Sequence, residues 1–222
     1  MARRDDTNTE AILVIGLGRF GAAIAVTLDK LGKDVLAVES DPDLAQQWSH
    51  RFRVVEADAR SAEALHQLGA EDFNVAVVGV GTSLEASVLI TANLVDLGMK
   101  EIWAKATSRE HGTILKRIGA NHVVYPEYDA GQRVAHMVSG KMLDYIEMED
   151  QFTIVKMIPP KDLIGFTVAE SRIRERFGVS LIGVKSPGQP FEYTTPETKI
   201  GHGDTLIVSG EPALLEAFAN RV

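Results

Sequence analysis

Ile12-Leu13-Val14-Ile15-Gly16-Leu17-Gly18-Arg19-Phe20-Gly21 is the stretch that decides the fold of this chain. An apolar strand runs into G-x-G-x-x-G and a helical pattern follows. In such a turn Gly16 permits the tight bend, Gly18 lets a pyrophosphate approach the backbone, and Gly21 lets the helix pack close to the strand. The first N–H groups of that helix then face the phosphate. The motif alone is a weak signal. Here Glu39 closes the next apolar run, Asp34 to Glu39, about 20 residues further on, and strand, helix and acid together supply the required context.

Two residues refine the ligand. Arg19 places a guanidinium at the helix start, next to Phe20, where the helix dipole disfavours a cation. A bidentate positive fork there suits a phosphate beyond the two that backbone amides neutralise, so it points to a nucleoside di- or triphosphate. A carboxylate such as Glu39 at the end of the second strand accepts from ribose hydroxyls and repels a 2′-phosphate, which argues against NADP.

Bulk composition narrows the class. With 222 residues the chain has room for one large α/β domain and a small one. No apolar run approaches the roughly 20 residues of a membrane span, and residues 1–10 are polar and charged, without the apolar core of a signal peptide. A cytoplasmic location without membrane insertion is expected. The absence of cysteine removes disulfides, thiolate metal sites and cysteine nucleophiles together. A net charge of −8 argues against nucleic acid as the partner.

Apolar runs alternate with helical patterns through the first two thirds. Strands are expected at Arg53 to Glu56, Asn74 to Gly79, Glu101 to Lys105 and His122 to Tyr125, with helices at Ala62 to Leu68, Leu84 to Leu97 and Arg109 to Ile118. That rhythm makes a doubly wound parallel sheet covered on both faces, a Rossmann-type domain over 10–126 behind a flexible tail, 1–9. Asp129 to Leu143 reads as one further helix, with Val134, Met137, Val138 and Met142 at helical spacing, so 127–149 is expected to be a crossover helix and linker. Beyond it, 150–222 reads as a small α+β module. Its expected strands are Phe152 to Ile158, Val179 to Val184, Phe191 to Thr194 and Thr205 to Val208, and its helices Ser171 to Phe177 and Pro212 to Asn220. A module this small gains stability by dimerising.

At this point the residues resemble a known family. Val14 to Gly21, Val35 to Glu39, Ile102-Trp103-Ala104-Lys105-Ala106, Lys116 to His122, Tyr125-Pro126-Glu127 and Asp129-Ala130-Gly131 are similar to the cytosolic RCK-type regulatory subunits of bacterial Ktr and Trk potassium uptake systems. Leu163-Ile164-Gly165 and Gly201 to Val208 resemble that family's C-terminal subdomain. The resemblance implies a homodimer that assembles into a ring, typically an octamer, docked under a separate membrane pore subunit at the inner face of the membrane. It implies ATP or ADP at the Gly16 loop, with NAD(H) in Trk-type relatives. Residue by residue, Arg19 would meet the terminal phosphate, Glu39 the ribose, Asp58 and Ala59 the adenine, and Gly79 and Gly81 the phosphate side. Lys105 would add positive charge, and Glu127 would approach Mg²⁺ or another cation on the ATP phosphates. Some relatives bind cyclic di-AMP between C-terminal domains. Arg174 matches the arginine of that site, but Ser180 stands where an asparagine is expected, which counts against this ligand.

The rival reading is a nicotinamide-dependent oxidoreductase. Such an enzyme needs an acid–base group beside the nicotinamide. No tyrosine has a lysine four residues on, and His50, His66, His111, His122, His136 and His202 are scattered, mostly on expected helices. The expectation is a binding protein and not an enzyme.

Overall fold

A computed structural model describes residues 11–138, 142–148 and 152–221, and the chain divides into two compact units after Glu127. The expected tail 1–9 lies outside the described residues.

In the first unit, strands β1 (Ile12–Ile15), β2 (Val35–Glu39), β3 (Arg53–Glu56), β4 (Val75–Val78), β5 (Glu101–Lys105) and β6 (His122–Val124) form one sheet in the order β3-β2-β1-β4-β5-β6. Every pairing is parallel. Between them lie α1 (Arg19–Lys30), α2 (Pro42–Trp48), α3 (Ala62–Gln67), α4 (Leu84–Asp96) and α5 (Arg109–Ile118). Alternate residues of each strand feed opposite faces of the sheet. Leu13, Ile15, Leu36, Val38, Ala76 and Val78 pack with Leu65, Ile90, Leu94 and Leu115 of the helices on one side. Val14, Ala37 and Val77 pack with Leu17 and Ala25 on the other. Burial on both faces is why these strands read as continuous apolar runs.

Four helix starts follow from local chemistry. The Asp41 carboxylate accepts from the Asp43 and Leu44 N–H groups, with Pro42 opening α2, and Ser61, Ser83 and Ser108 cap α3, α4 and α5 in the same way. Helix α1 is different: Gly18 stands at its N-cap and no side chain caps it.

Helix α6 (Pro126–Val138) begins at the end of the first unit and is followed by β7 (Met142–Glu147) and β8 (Thr153–Met157). After a 3₁₀ turn at Lys161–Leu163 come α7 (Val168–Ser171), α8 (Ile173–Phe177), β9 (Ser180–Lys185), β10 (Glu192–Tyr193), β11 (Thr205–Gly210) and α9 (Pro212–Ala219). The second sheet is antiparallel in the order β10-β9-β11-β8-β7. Its core sets Met142, Tyr145, Val155, Met157, Leu206 and Val208 against Leu215 and Phe218 of α9.

Two expectations need correcting here. The single helix expected over Asp129 to Leu143 starts earlier, at Pro126, and ends at Val138, whereas Met142 and Leu143 open β7. Met142 falls at helical spacing from Val138, but it is buried as an inward residue of a strand, paired with Met157. The segment 127–149 therefore carries an edge strand of the second sheet in addition to a helix. The helix expected over Ser171 to Phe177 is two short helices. Arg172 separates them with φ +46°, and it is the one non-glycine residue at positive φ among those described.

Candidate functional site

Three strand ends define the site. Gly16 takes φ +88°, a conformation glycine adopts without cost, and a Cβ there would lie 2.9 Å from Val80 Cγ2. At Gly21 a Cβ would run into the Gly16 carbonyl oxygen, and at Gly79 it would lie 3.1 Å from both that oxygen and Gly21 Cα. Gly16, Gly21 and Gly79 thus let β1, α1 and β4 approach. Gly79, expected on the phosphate side, is buried in this packing.

Gly18 is the opposite case. It is exposed, has ordinary angles (φ −61°, ψ −178°), and nothing lies within 4 Å of where its Cβ would be. The uncapped N–H groups that open α1 beside it need acceptors, and a phosphate is an acceptor of the right charge. Arg19 is exposed on the same turn.

Glu39 is 8% exposed. Its Oε2 accepts from the Leu17 N–H at 2.5 Å, and its Oε1 accepts from the Ser40 and Asp41 N–H groups at 2.7 and 3.0 Å. The acid expected at the ribose thus clamps the glycine loop to the end of β2. A carboxylate has about four acceptor positions, and Oε2, which takes the Leu17 N–H, has room for a second donor.

A cavity of about 300 Å³ opens over these strand ends. It gathers Gly16, Glu39, Asp58 and Ala59 of the expected set, together with Ser40, Arg60, Val80, Thr82 and Ser83. Asp58 is not free. Its carboxylate takes the Arg60 Nε at 2.9 Å and Nη2 at 2.6 Å, and the Arg60 N–H at 3.0 Å. The Arg60 hydrogen bond holds the Asp58 carboxyl below the usual carboxylate range. Arg60 is the residue that motif reading missed, although an Asp-x-Arg at a strand end was the available signal.

Gly81, Lys105, Phe20 and Glu127 do not line that cavity; they form a second cluster. Lys105, only 13% exposed, passes over Gly81, where a Cβ would lie 3.1–3.3 Å from the lysine's stem and ammonium. Lys105 Nζ is 5.8 Å from the Phe20 ring centre and 2.6 Å from Glu127 Oε1. That lysine hydrogen bond lowers the Glu127 pKa, and the field of Arg19 adds to the effect. Glu127, expected at a cation, here holds an ammonium. Among the described residues no three His, Cys, Asp or Glu side chains are grouped to hold a metal ion.

A parallel sheet in 3-2-1-4-5-6 order, with an uncapped glycine loop and an acid at the next strand end, defines a Rossmann-type protein with a nucleotide-shaped site. Residues 12–126 match the TrkA-N domain and residues 152–222 the TrkA-C domain. The chain is 33% identical to Ktr system potassium uptake protein C of Bacillus subtilis, covering 94% of this chain and 96% of that protein. It is 31% identical to Ktr system potassium uptake protein A of the same organism, covering 93% and 94%. The chain therefore belongs to the TrkA-N/TrkA-C family that includes the Ktr potassium uptake proteins. In fold it is similar to the GsuK RCK domain, with a TM-score of 0.68, 23% identity and 99% of this chain covered; it spans about half, 49%, of that chain. A GsuK channel bound to NAD matches with the same TM-score over 98% of this chain and 40% of its own.

Proposed function

We propose that this chain is a cytosolic, nucleotide-sensing regulatory subunit that controls a separate membrane potassium transporter. The observation that carries the reading is the open, uncapped glycine loop beside the Glu39 cavity, in a chain that aligns with Ktr potassium uptake proteins over nearly its whole length. Gly18 and the first turn of α1 hold the phosphates, Arg19 the terminal one, Glu39 the ribose, and the Asp58–Arg60 end the base. Lys105 adds positive charge at the phosphate side. Exchange of ATP for ADP alters the shape of a homodimer within a ring, an octamer, and so the state of the pore subunit. Such coupling requires that the two nucleotides differ in affinity for the two shapes.

Glu127 would offer a carboxylate to Mg²⁺ or another cation accompanying ATP only on releasing the Lys105 ammonium it holds in this structure. No helix among the described residues is long and apolar enough to cross a membrane. Regulation in place of catalysis is supported by the carboxylates at the cavity. Glu39 and Asp58 are engaged by backbone amides and by Arg60, so neither is poised as a general base.

The test is thermal unfolding of the full chain with ATP, ADP, NAD and NADH, each with and without Mg²⁺, followed by potassium flux through the reconstituted transporter. A ligand at 100 times its Kd adds about 2.7 kcal/mol. At about 2–4 °C per kcal/mol, the expected ATP and ADP shifts are several degrees. Flux is expected to differ between the two nucleotides. A shift with NAD or NADH alone would replace this reading with an NAD(H) sensor. No shift with any nucleotide would overturn it.

A further inference from the structure

The order of strands fixes the direction in which a nucleotide lies. Phosphates sit at the end of β1, and each neighbouring strand lies about 4.8 Å further along. Glu39 ends β2, and Ala57 to Arg60 follow β3, so the far end of the cavity is its base end. This step rests on the nucleotide reading above.

At that end Asp58 alone would favour adenine. A free carboxylate accepts from the adenine N6 amino group and repels the guanine O6, which is an acceptor. Here the carboxylate is already bonded to the Nε, the Nη2 and the backbone N–H of Arg60. The Arg60 carbonyl in turn accepts from Asn93 Nδ2 of α4 at 2.9 Å. Asp58 therefore holds the Arg60 guanidinium and N–H, and Asn93 its carbonyl, before any ligand arrives. A fixed guanidinium plane offers a cationic stacking face to any purine.

We propose that Arg60 sets the base specificity of this site: it stacks on the purine and masks Asp58, so adenine and guanine nucleotides are accepted alike. The masking is local, two residues apart in sequence, and involves no other part of the fold. Arg60 is largely exposed, so its removal leaves the core intact.

The experiment compares ADP and GDP, which share their phosphates, by calorimetric titration of the full chain. Wild-type Kd values are expected within about tenfold of each other, the range of a site without a base-edge contact. Arg60→Ala uncovers Asp58, and the preference for ADP over GDP should rise by about tenfold or more, the worth of one hydrogen bond to a charged group. Arg60→Ala combined with Asp58→Ala should return the ratio to the wild-type value. Unfolding curves of each variant check that the fold is kept. An unchanged ratio in Arg60→Ala, or a wild type that already rejects GDP, would overturn the proposal while leaving nucleotide binding in place. A wild type that binds neither nucleotide would remove the functional reading itself, and this inference with it.

Discussion

Lys105 Nζ lies 2.6 Å from Glu127 Oε1, joining the end of β5 to the first turn of α6. The pair is lopsided, with the lysine 13% exposed and the glutamate 66%. Gly81 makes the lysine's burial possible, because any side chain there would meet its stem. Water screens the exposed carboxylate, so the pair contributes at most about 1 kcal/mol. Its clearer signature is titration. The Lys105 hydrogen bond depresses the Glu127 pKa below its ordinary 4.5. A depressed carboxyl pKa contributes stability that is present above the unfolded value and lost as pH falls through the folded one. Lys105→Met should return the Glu127 carboxyl toward 4.5 in a carbon-13 NMR titration. A titration identical to wild type would mean that the pair does not form in solution.

The glycines of the loop divide into two kinds, and alanine separates them. Gly21→Ala drives a Cβ into the Gly16 carbonyl, backbone against backbone, where no rotamer gives relief. A loss of about 1–3 kcal/mol or more is expected, read as a fall in Tm. Gly18→Ala meets nothing within 4 Å at angles any residue adopts, so stability should hold within about 0.5 kcal/mol. Its Cβ would stand where the phosphate approaches, and ADP binding should drop sharply. A Gly18→Ala protein that binds ADP as well as wild type would remove the phosphate from this loop.

How much of this was legible in the chain follows from where the forces are local. Strands β3 and β5 and helix α5 lie where the apolar runs and the caps predict, because the valine pair of β3, the alternation of buried Ile102 and Ala104 in β5 and the serine cap of α5 are each written within a few residues. Strand β7 was hidden. Met142 continues the spacing of Val134 and Val138, and only the pairing with β8, from another part of the chain, turns it into a strand. The break at Arg172 was hidden too, since nothing in Arg-Ile-Arg-Glu-Arg announces a left-handed residue. At the candidate site, the glycines and Glu39 are picked out by motif. What they bond to is not, because the Leu17 N–H donating to Glu39, and Asp58 being taken by Arg60, depend on side-chain directions that spacing does not carry.

Glu39 serves the loop before it serves any ligand. Glu39→Ala would leave the buried Leu17 N–H without its acceptor, while the N–H groups of the exposed Ser40 and Asp41 turn to water. Unsatisfied buried donors cost about 1–3 kcal/mol, so Tm without nucleotide should fall by several degrees, at about 2–4 °C per kcal/mol. Asp58→Ala, at an exposed position, should leave Tm nearly unchanged. Equal Tm values for Glu39→Ala and wild type would show that the clamp carries no stability.

His111 gives the fold its own pH dependence. It is 1% exposed in the first turn of α5, with Nδ1 3.3 Å from the Thr107 N–H and Nε2 3.2 Å from Ser87 Oγ on α4. A nitrogen that accepts from an amide carries no proton, so the neutral ring donates through Nε2 to the serine. Protonation would turn Nδ1–H against the Thr107 N–H, with the Thr107 hydroxyl at 3.2 Å left to accept it, and would bury a charge in the α4–α5 contact. Burial accordingly lowers the His111 pKa from its ordinary 6.5. The unfolded chain then binds the proton first. Stability is complete above the unfolded value and declines as pH falls below it toward the folded one. In urea titrations from about pH 5 to about pH 7.5, the span over which histidine ordinarily titrates, wild-type stability should rise with pH. His111→Gln should lose that part of the slope, so the gap between the two proteins widens as pH rises to about 6.5 and is level above it. A gap that stays constant over the whole range would mean that His111 is protonated to the same degree in the folded and unfolded chains.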